Sequence, residues 1–254
     1  MLGKEGKNLY AGTGLPEICI PMTADSREAL AASARTIRDA SCADAAEWRA
    51  DWFGGNLSEQ TVRAETAELK NILADKPLIF TIRSTGEGGK ADYSADQFVH
   101  LAAAAAEAGA DLVDCELSRG EEAVRQTRVC VRRAGAELIL SRHFFSETPA
   151  DDRMEEILFA MNRLGADFAK LAVMPKDFSD VCRLMAVTEK VHRALPDQRL
   201  ITMSMGKTGM ISRVTGALTG SVLTFGTLGA ESAPGQPDAW RLRAAMEKLR
   251  EAGI

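Results

Sequence analysis

A chain of 254 residues, 46% hydrophobic and 26% charged, can bury a large core and has the size of a single (β/α)8 barrel. Its net charge of −5, with Lys and Arg scattered among acidic residues, leaves no basic stripe of the kind nucleic-acid binding requires, so an acidic ligand would have to be met by individually placed arginines. No apolar run reaches membrane-spanning length, residues 1–7 have no signal-peptide core, and the five cysteines lack any CxxC pair, which speaks against a zinc site or disulfide framework and for a soluble cytoplasmic protein.

In chain order, a Gly-Thr-Gly-Leu-Pro segment (12–16) leads into Ile18-Cys19-Ile20-Pro21-Met22, whose flanks and β-branched content predict a first strand. A helix follows to Ala40, with Asp25 or Ser26 as N-cap and Glu28 placed to close a capping box. The plan repeats with strand 43–49, helix 58–73, strand 77–83 and helix 94–108. Three junctions then become nearly self-similar: Gly109-Ala110-Asp111, Gly135-Ala136-Glu137 and Gly165-Ala166-Asp167 each set a helix-ending glycine before an acid and an apolar strand. Their spacing of 26 and 30 residues is that of one βα unit, and repeated βα units make a parallel sheet. Strands at 200–205 and 222–225 and a last helix at 238–252 complete eight of each. An open doubly wound sheet is the other way to arrange alternating elements, but the even strand spacing and the lack of GxGxxG after the first strand favour an α/β closed barrel forming one domain over residues 1–254. The Gly/Ser/Pro-rich residues 226–237, after the last strand, are the expected active-site lid.

In such a barrel the reactive face lies at the C-terminal ends of the strands. The second strand ends Glu47-Trp48-Arg49, the third ends at Arg83 and runs on to Glu87, the fourth carries Asp114 and Glu116, the fifth ends at His143, and the sixth holds Lys170 within Phe168-Ala169-Lys170-Leu171-Ala172-Val173. Strand alternation puts Ile139, Ser141 and His143 on one face, and Phe168, Lys170 and Ala172 on one face, so Lys170 and His143 can point into the barrel together. By the same parity Glu47 and Arg49 share a face, as do Asp114 and Glu116. A buried lysine needs a reason: an internal ion pair with Asp114 or Glu116, or a role as an amine that attacks a carbonyl. With His143 beside it and arginines on the same rim, imine chemistry on an anionic carbonyl compound is the stronger reading. His100 and His192 lie in helical stretches and read as surface residues; the three histidines are too far apart for a local ligand pair, and no metal is expected.

These residues, together with Phe80-Thr81-Ile82-Arg83, Glu87-Gly88-Gly89, Ile201 to Gly209, Ile211-Ser212-Arg213 and Ser232-Ala233-Pro234-Gly235-Gln236, give a chain that resembles type I 3-dehydroquinate dehydratases over nearly its full length. The resemblance implies a (β/α)8 barrel hydro-lyase of the shikimate pathway, acting in aromatic amino acid biosynthesis. It would convert 3-dehydroquinate to 3-dehydroshikimate and water without metal or organic cofactor, as a cytoplasmic homodimer. It makes Lys170 the Schiff-base lysine, His143 the proton shuttle, Glu87 the carboxylate that orients this histidine, and Arg213 the holder of the substrate carboxylate. Glu47, Arg49 and Arg83 would bind substrate hydroxyls, and Ser232 and Gln236 would be lid contacts. Met203 and Met205 read as barrel packing. The chain departs from the family's Ser-Asn-His-Asp-Phe pattern at Ser141-Arg142-His143-Phe144-Phe145, where a cation beside the histidine bears on its pKa or tautomer and would be neutralised by Glu47, Glu87 or Glu116. Pro21 stands where some relatives carry a hydroxyl residue. Another Schiff-base lyase or aldolase on a related hydroxyketo acid, and a barrel that binds such a metabolite without turning it over, are the alternatives.

Overall fold

The computed structural model describes residues 14–54, 57–229 and 235–253. The N-terminal residues 1–7, Gly12 and Thr13 at the start of the glycine-rich segment, and Ser232, Ala233 and Pro234 of the expected lid lie outside the described residues.

Eight strands, β1 (Glu17–Met22), β2 (Ala45–Arg49), β3 (Leu78–Thr81), β4 (Leu112–Glu116), β5 (Glu137–Phe144), β6 (Phe168–Val173), β7 (Arg199–Ser204) and β8 (Leu223–Phe225), form one parallel sheet ordered β7-β6-β5-β4-β3-β2-β1-β8. The two ends of that order meet through a parallel bridge between Leu200 and Ser221, with Val222 N–H donating to Leu200 O at 2.8 Å, and the sheet becomes a barrel. The main helices between strands are α1 (Arg27–Asp39), α2 (Glu59–Leu73), α3 (Ala95–Glu107), α4 (Glu121–Arg133), α5 (Asp151–Arg163) and α6 (Phe178–Ala194). The seventh position is split into the short α7 (Met210–Val214) and α8 (Gly216–Thr219), and α9 (Ala239–Glu251) closes the chain. Among the described residues no helix is long and apolar enough to cross a membrane.

Local chemistry explains most boundaries. Ser26, Ser58, Ser94, Asp177 and Asp238 cap their helices by accepting a backbone N–H, and Ser94 with Gln97 forms a full capping box. Glu28 does not close one: with Ser26 as the cap, the reciprocal position falls on Ala29. Gly109, Gly135 and Gly165 all have positive φ, as the helix-ending role requires. The acids that follow two of them have a further function. Asp111 accepts Leu78 N–H at 2.7 Å and Asp167 accepts Leu138 N–H at 2.8 Å, while Asp44 does the same for Ile18 at 2.7 Å. Each satisfies a backbone donor in the first two residues of a neighbouring strand. This edge of the barrel is therefore built for stability.

Parity divides the core as the alternation predicts. Cys19, Ala45, Ile79, Leu112, Ile139, Phe168, Ala172 and Ile201 pack inside the barrel, whereas Leu138, Leu140, Ala169, Leu171 and Val173 join the larger layer between sheet and helices. Toward the C-terminal mouth the inner layer continues as one apolar wall of Ala172, Met203, Met205 and Phe225, and charged groups line the rest of the interior. Of the histidines outside that interior, His100 is exposed near Glu59, but His192 is half-buried: it packs so closely on Gly220 that a Cβ there would meet its ring at 2.3 Å.

Candidate active site

The register of β5 on β6 pairs Ser141 with Lys170 and His143 with Ala172, so two of the inward residues of β5 flank the lysine of the next strand. Lys170 is 4% exposed. Its ammonium donates to Asp114 Oδ2 at 3.0 Å, stands 3.8 Å from Glu47 Oε1 and lies 4.4 Å from the centre of the Phe225 ring. The ion-pair reading and the chemical reading of this residue are thus compatible: Asp114 is the partner that makes its burial tolerable.

Asp114 is the hub of the interior. Arg83 Nη2 donates to its Oδ2 at 2.8 Å, and Ser141 Oγ donates to its Oδ1 at 2.5 Å. Arg83 Nη1 also reaches Glu116 Oε1 at 3.1 Å and Ser141 Oγ at 2.9 Å. Burial alone would favour the neutral acid, but the Arg83 and Lys170 cations outweigh it and hold Asp114 well below the usual carboxylate range. Burial likewise works against the charge on Arg83, and Asp114 and Glu116 overcome it and raise its pKa. Asp114→Ala should therefore leave two buried cations sharing Glu116 and Glu47, at a cost of about 3–5 kcal/mol of stability in urea unfolding, while Asp114→Asn, which keeps hydrogen-bonding capacity, should cost less.

Arg49 closes the pocket from β2 with a two-pronged bond to Asp51, Nε to Oδ1 at 2.9 Å and Nη2 to Oδ2 at 2.8 Å. Asp51 also accepts the backbone N–H of Arg83 at 3.2 Å and of Lys90 at 3.1 Å, tying the loop after β3 to the end of β2. That loop carries Glu87 at the end of a short 3-10 turn (Thr85–Glu87) and then reverses through Gly88 at φ +83°. A Cβ on Gly88 would meet the Phe145 ring at 2.3 Å, so the aromatic wall of the pocket is seated directly on this glycine.

Glu87 is 3% exposed and fully engaged. Oε2 accepts both the backbone N–H of His143 and its Nδ1, each at 2.9 Å. Oε1 accepts Ser118 Oγ at 2.6 Å and Arg142 Nη1 at 2.7 Å, so Glu87 is the carboxylate that neutralises Arg142. Burial pushes the Glu87 pKa up, but its bonds with His143 and Ser118 and the Arg83 cation bring it down to about 2. His143 is pushed down to about 3, first by burial and then by Arg83, against the opposing pull of Glu87. An ionised Glu87 fixes the Nδ1–H tautomer, which leaves Nε2 as the free acceptor of the ring.

These two shifts act on stability in the same direction. Between about pH 6.5 and 3 the unfolded chain carries a proton on His143 that the folded chain does not, so stability falls as pH falls through this window. Glu87 adds to the loss once the pH drops from 4.5 toward 2. The expected loss between pH 7 and pH 5 is about 2 kcal/mol from His143, read as a shift in urea midpoint, and His143→Gln should remove most of it.

The pocket these groups enclose holds about 480 Å³ of empty space including its mouth. Glu47, Arg49, Arg83, Glu87, His143, Lys170, Arg213 and Gln236 all line it, so eight of the nine residues singled out from sequence come together; the ninth, Ser232, lies outside the described residues. Arg213 reaches it from α7, 1% exposed, with Nη1 3.6 Å from Met203 Sδ and 3.4 Å from Phe225 O. Helix α7 is fixed to β7 by Ser212, whose Oγ accepts Ser204 N–H at 2.9 Å and donates to Gly209 O at 2.7 Å. Glu47 accepts Thr81 Oγ1 at 2.8 Å. The expected lid is pinned at its base, where Thr227 N–H donates to Pro237 O at 2.8 Å and Ala239 N–H to Thr227 O at 2.9 Å. Arg83 lies just beyond β3, which ends at Thr81 and not at residue 83 as the sequence suggested, because its N–H turns to Asp51. The apolar wall of Ala172, Met203, Met205 and Phe225 and the supporting Asp51 and Ser118 carry no sequence signal of their own beyond strand parity and proximity to Arg49.

A parallel eight-stranded barrel with a buried amine, an imidazole and a ring of arginines and carboxylates at its C-terminal mouth has the architecture of a (β/α)8 barrel enzyme. The profile of the family described as Type I 3-dehydroquinase matches residues 18–252, and the chain belongs to that family. It is 40% identical over 244 residues to the 3-dehydroquinate dehydratase of Klebsiella pneumoniae, covering 96% of this chain and 97% of that one. The enzyme of the same name from Salmonella agona is 36% identical over 247 residues, 97% and 98% of the two chains. Among solved structures, the type I 3-dehydroquinate dehydratase from Clostridium difficile, with covalently modified comenic acid, superposes with a TM-score of 0.90 at 36% identity, covering 95% of this chain and 94% of that one.

Proposed function

We propose that this chain is a type I 3-dehydroquinate dehydratase that removes water from 3-dehydroquinate through an imine on Lys170, giving 3-dehydroshikimate in the shikimate pathway. The observation that carries the reading is that Lys170 and His143 share the inner face of adjacent strands, in one pocket walled by arginines, within a chain of this family. Neither metal nor organic cofactor is needed for the steps below.

The Lys170 amine adds to the substrate ketone and, with loss of water, forms an iminium whose nitrogen stays beside Asp114 and over Phe225. Both neighbours favour a positive charge at that position. The iminium acidifies the adjacent C–H bond, and Nε2 of His143 takes that proton, since Nδ1 is committed to Glu87. The resulting enamine expels the hydroxyl on the next carbon, which leaves as water on receiving the proton from His143, and hydrolysis of the imine frees product and lysine. Arg213 suits the substrate carboxylate, because a planar guanidinium can offer two parallel donors. In this reading Glu47, Arg49 and Arg83 meet ring hydroxyls and Gln236 contacts the substrate beside them; Ser232, outside the described residues, is a second lid contact on the family resemblance alone. A cytoplasmic homodimer is the assembly this reading carries.

Incubation with 3-dehydroquinate tests it directly: the ultraviolet absorbance of a conjugated enone should rise in proportion to enzyme. Binding without that signal, or release of a C–C cleavage product, would overturn the assignment.

A further inference from the structure

Glu87 sits astride the C-terminal end of β5, gripped from both sides of the strand. His143, of inward parity, takes Oε2 with its ring and its backbone N–H, while the preceding residue, Arg142, of outward parity, takes Oε1 with its guanidinium. Ser118, from the turn after β4, supplies the fourth donor. Arg142 is itself held over the Phe144 ring, with 5.2 Å from guanidinium carbon to ring centre, and its side chain is 32% exposed, so it reaches the buried carboxylate from the solvent side.

We propose that Arg142 is a positioning residue for the His143–Glu87 pair: it fixes the outer oxygen of Glu87 and draws off carboxylate charge that would otherwise stabilise an imidazolium at His143. The proposal rests on the reading of His143 as the proton-transfer group. Two physical effects support it. A carboxylate with four donors cannot rotate without breaking several bonds, so the Oε2 lone pair that orients Nδ1 stays in place. A cation bonded to the same carboxylate also offsets the field of Glu87 at the ring, which keeps Nε2 unprotonated and available as a base. The other charged groups facing this pair are Arg83 beyond β3, Asp114 on β4 and Lys170 on β6. Arg83 and Lys170 act in the same sense as Arg142, and Asp114 opposes them while being neutralised by both.

The test compares the native chain with Arg142→Gln and Arg142→Lys. In protein labelled at its imidazoles, His143 is assigned by the signal missing from His143→Gln, and its protonation is followed from pH 8 to the acid edge of the folded range. Protonation in Arg142→Gln should set in about 0.5–1 pH unit higher than in the native chain and return most of the way in Arg142→Lys. With 3-dehydroquinate, Arg142→Gln should lower kcat several-fold at pH 7 with KM within about twofold, and the acid limb of its kcat profile should move by the same increment. An unchanged onset of His143 protonation in Arg142→Gln would overturn the proposal, as would an equal shift in Arg142→Lys. The titration needs no substrate, so a chain inactive on 3-dehydroquinate would refute the dehydratase reading and leave this result standing.

Discussion

Replacing Lys170 by methionine should abolish turnover of 3-dehydroquinate, with kcat falling about 10⁴-fold or more while the barrel remains folded. Among the described residues that line the pocket, Lys170 supplies the only primary amine, so no neighbour can form the imine in its place. Without the iminium the C–H bond next to the ketone is a much weaker acid, and His143 has too little driving force to remove its proton. The fold should tolerate the change. Methionine has a similar length, the surrounding face offers Ala172, Met203 and Phe225 for contact, and Asp114 keeps its bonds to Arg83 and Ser141. The loss of stability should thus be smaller than the roughly 3–5 kcal/mol typical when a buried charge loses its only partner. Thermal melting with the product assay measures both quantities, and a Lys170→Met enzyme within tenfold of native activity would exclude covalent catalysis at this residue.

His143→Gln should also be severely impaired, but at a different step. Glutamine can hydrogen-bond to Glu87 yet offers no base at neutral pH, so kcat should fall by about 10²–10⁴-fold, the usual range for loss of a general acid–base group. Imine formation draws on the Lys170 amine and the Asp114 neighbourhood, which this substitution leaves intact. Borohydride added with substrate should therefore still trap a covalent adduct in His143→Gln and none in Lys170→Met. Retention of most of the turnover in His143→Gln would reassign the proton transfer to another group.

The fold was legible in the sequence because parallel barrels are locally repetitive. The Gly-Ala-acid junctions mark helix end and strand start, and the structure adds that Asp111 and Asp167 also accept an N–H at the start of the neighbouring strand, from Leu78 and Leu138. Strand parity alone brings Lys170 and His143 to one face. It could not choose between Asp114 and Glu116 as the partner of the lysine, since both share a face; the hydrogen bonds decide it, with Asp114 taking Lys170 while Glu116 is engaged by Arg83, Arg119 and Ser84. Glu87 lies in a glycine-rich turn without periodicity, and its contacts join residues 31 to 56 positions apart, so its place after the third strand marks it as a rim residue while its role as partner of His143 comes from the resemblance to the family. Asp51 and Ser118 escaped for the same reason: each acts on a loop remote in sequence. The helical segment between β7 and β8 is broken in two, because Gly216 must lie against Pro16 and Ser221 where the barrel closes and a Cβ there would meet them at 2.7 and 2.8 Å.

The central claim is that Lys170 carries the substrate as an imine. Sodium borohydride added during turnover of 3-dehydroquinate should inactivate the protein irreversibly, and peptide mass spectrometry should place one reduced adduct on Lys170. An unmodified Lys170 in protein that still converts the substrate, or an adduct on any other lysine, would contradict it.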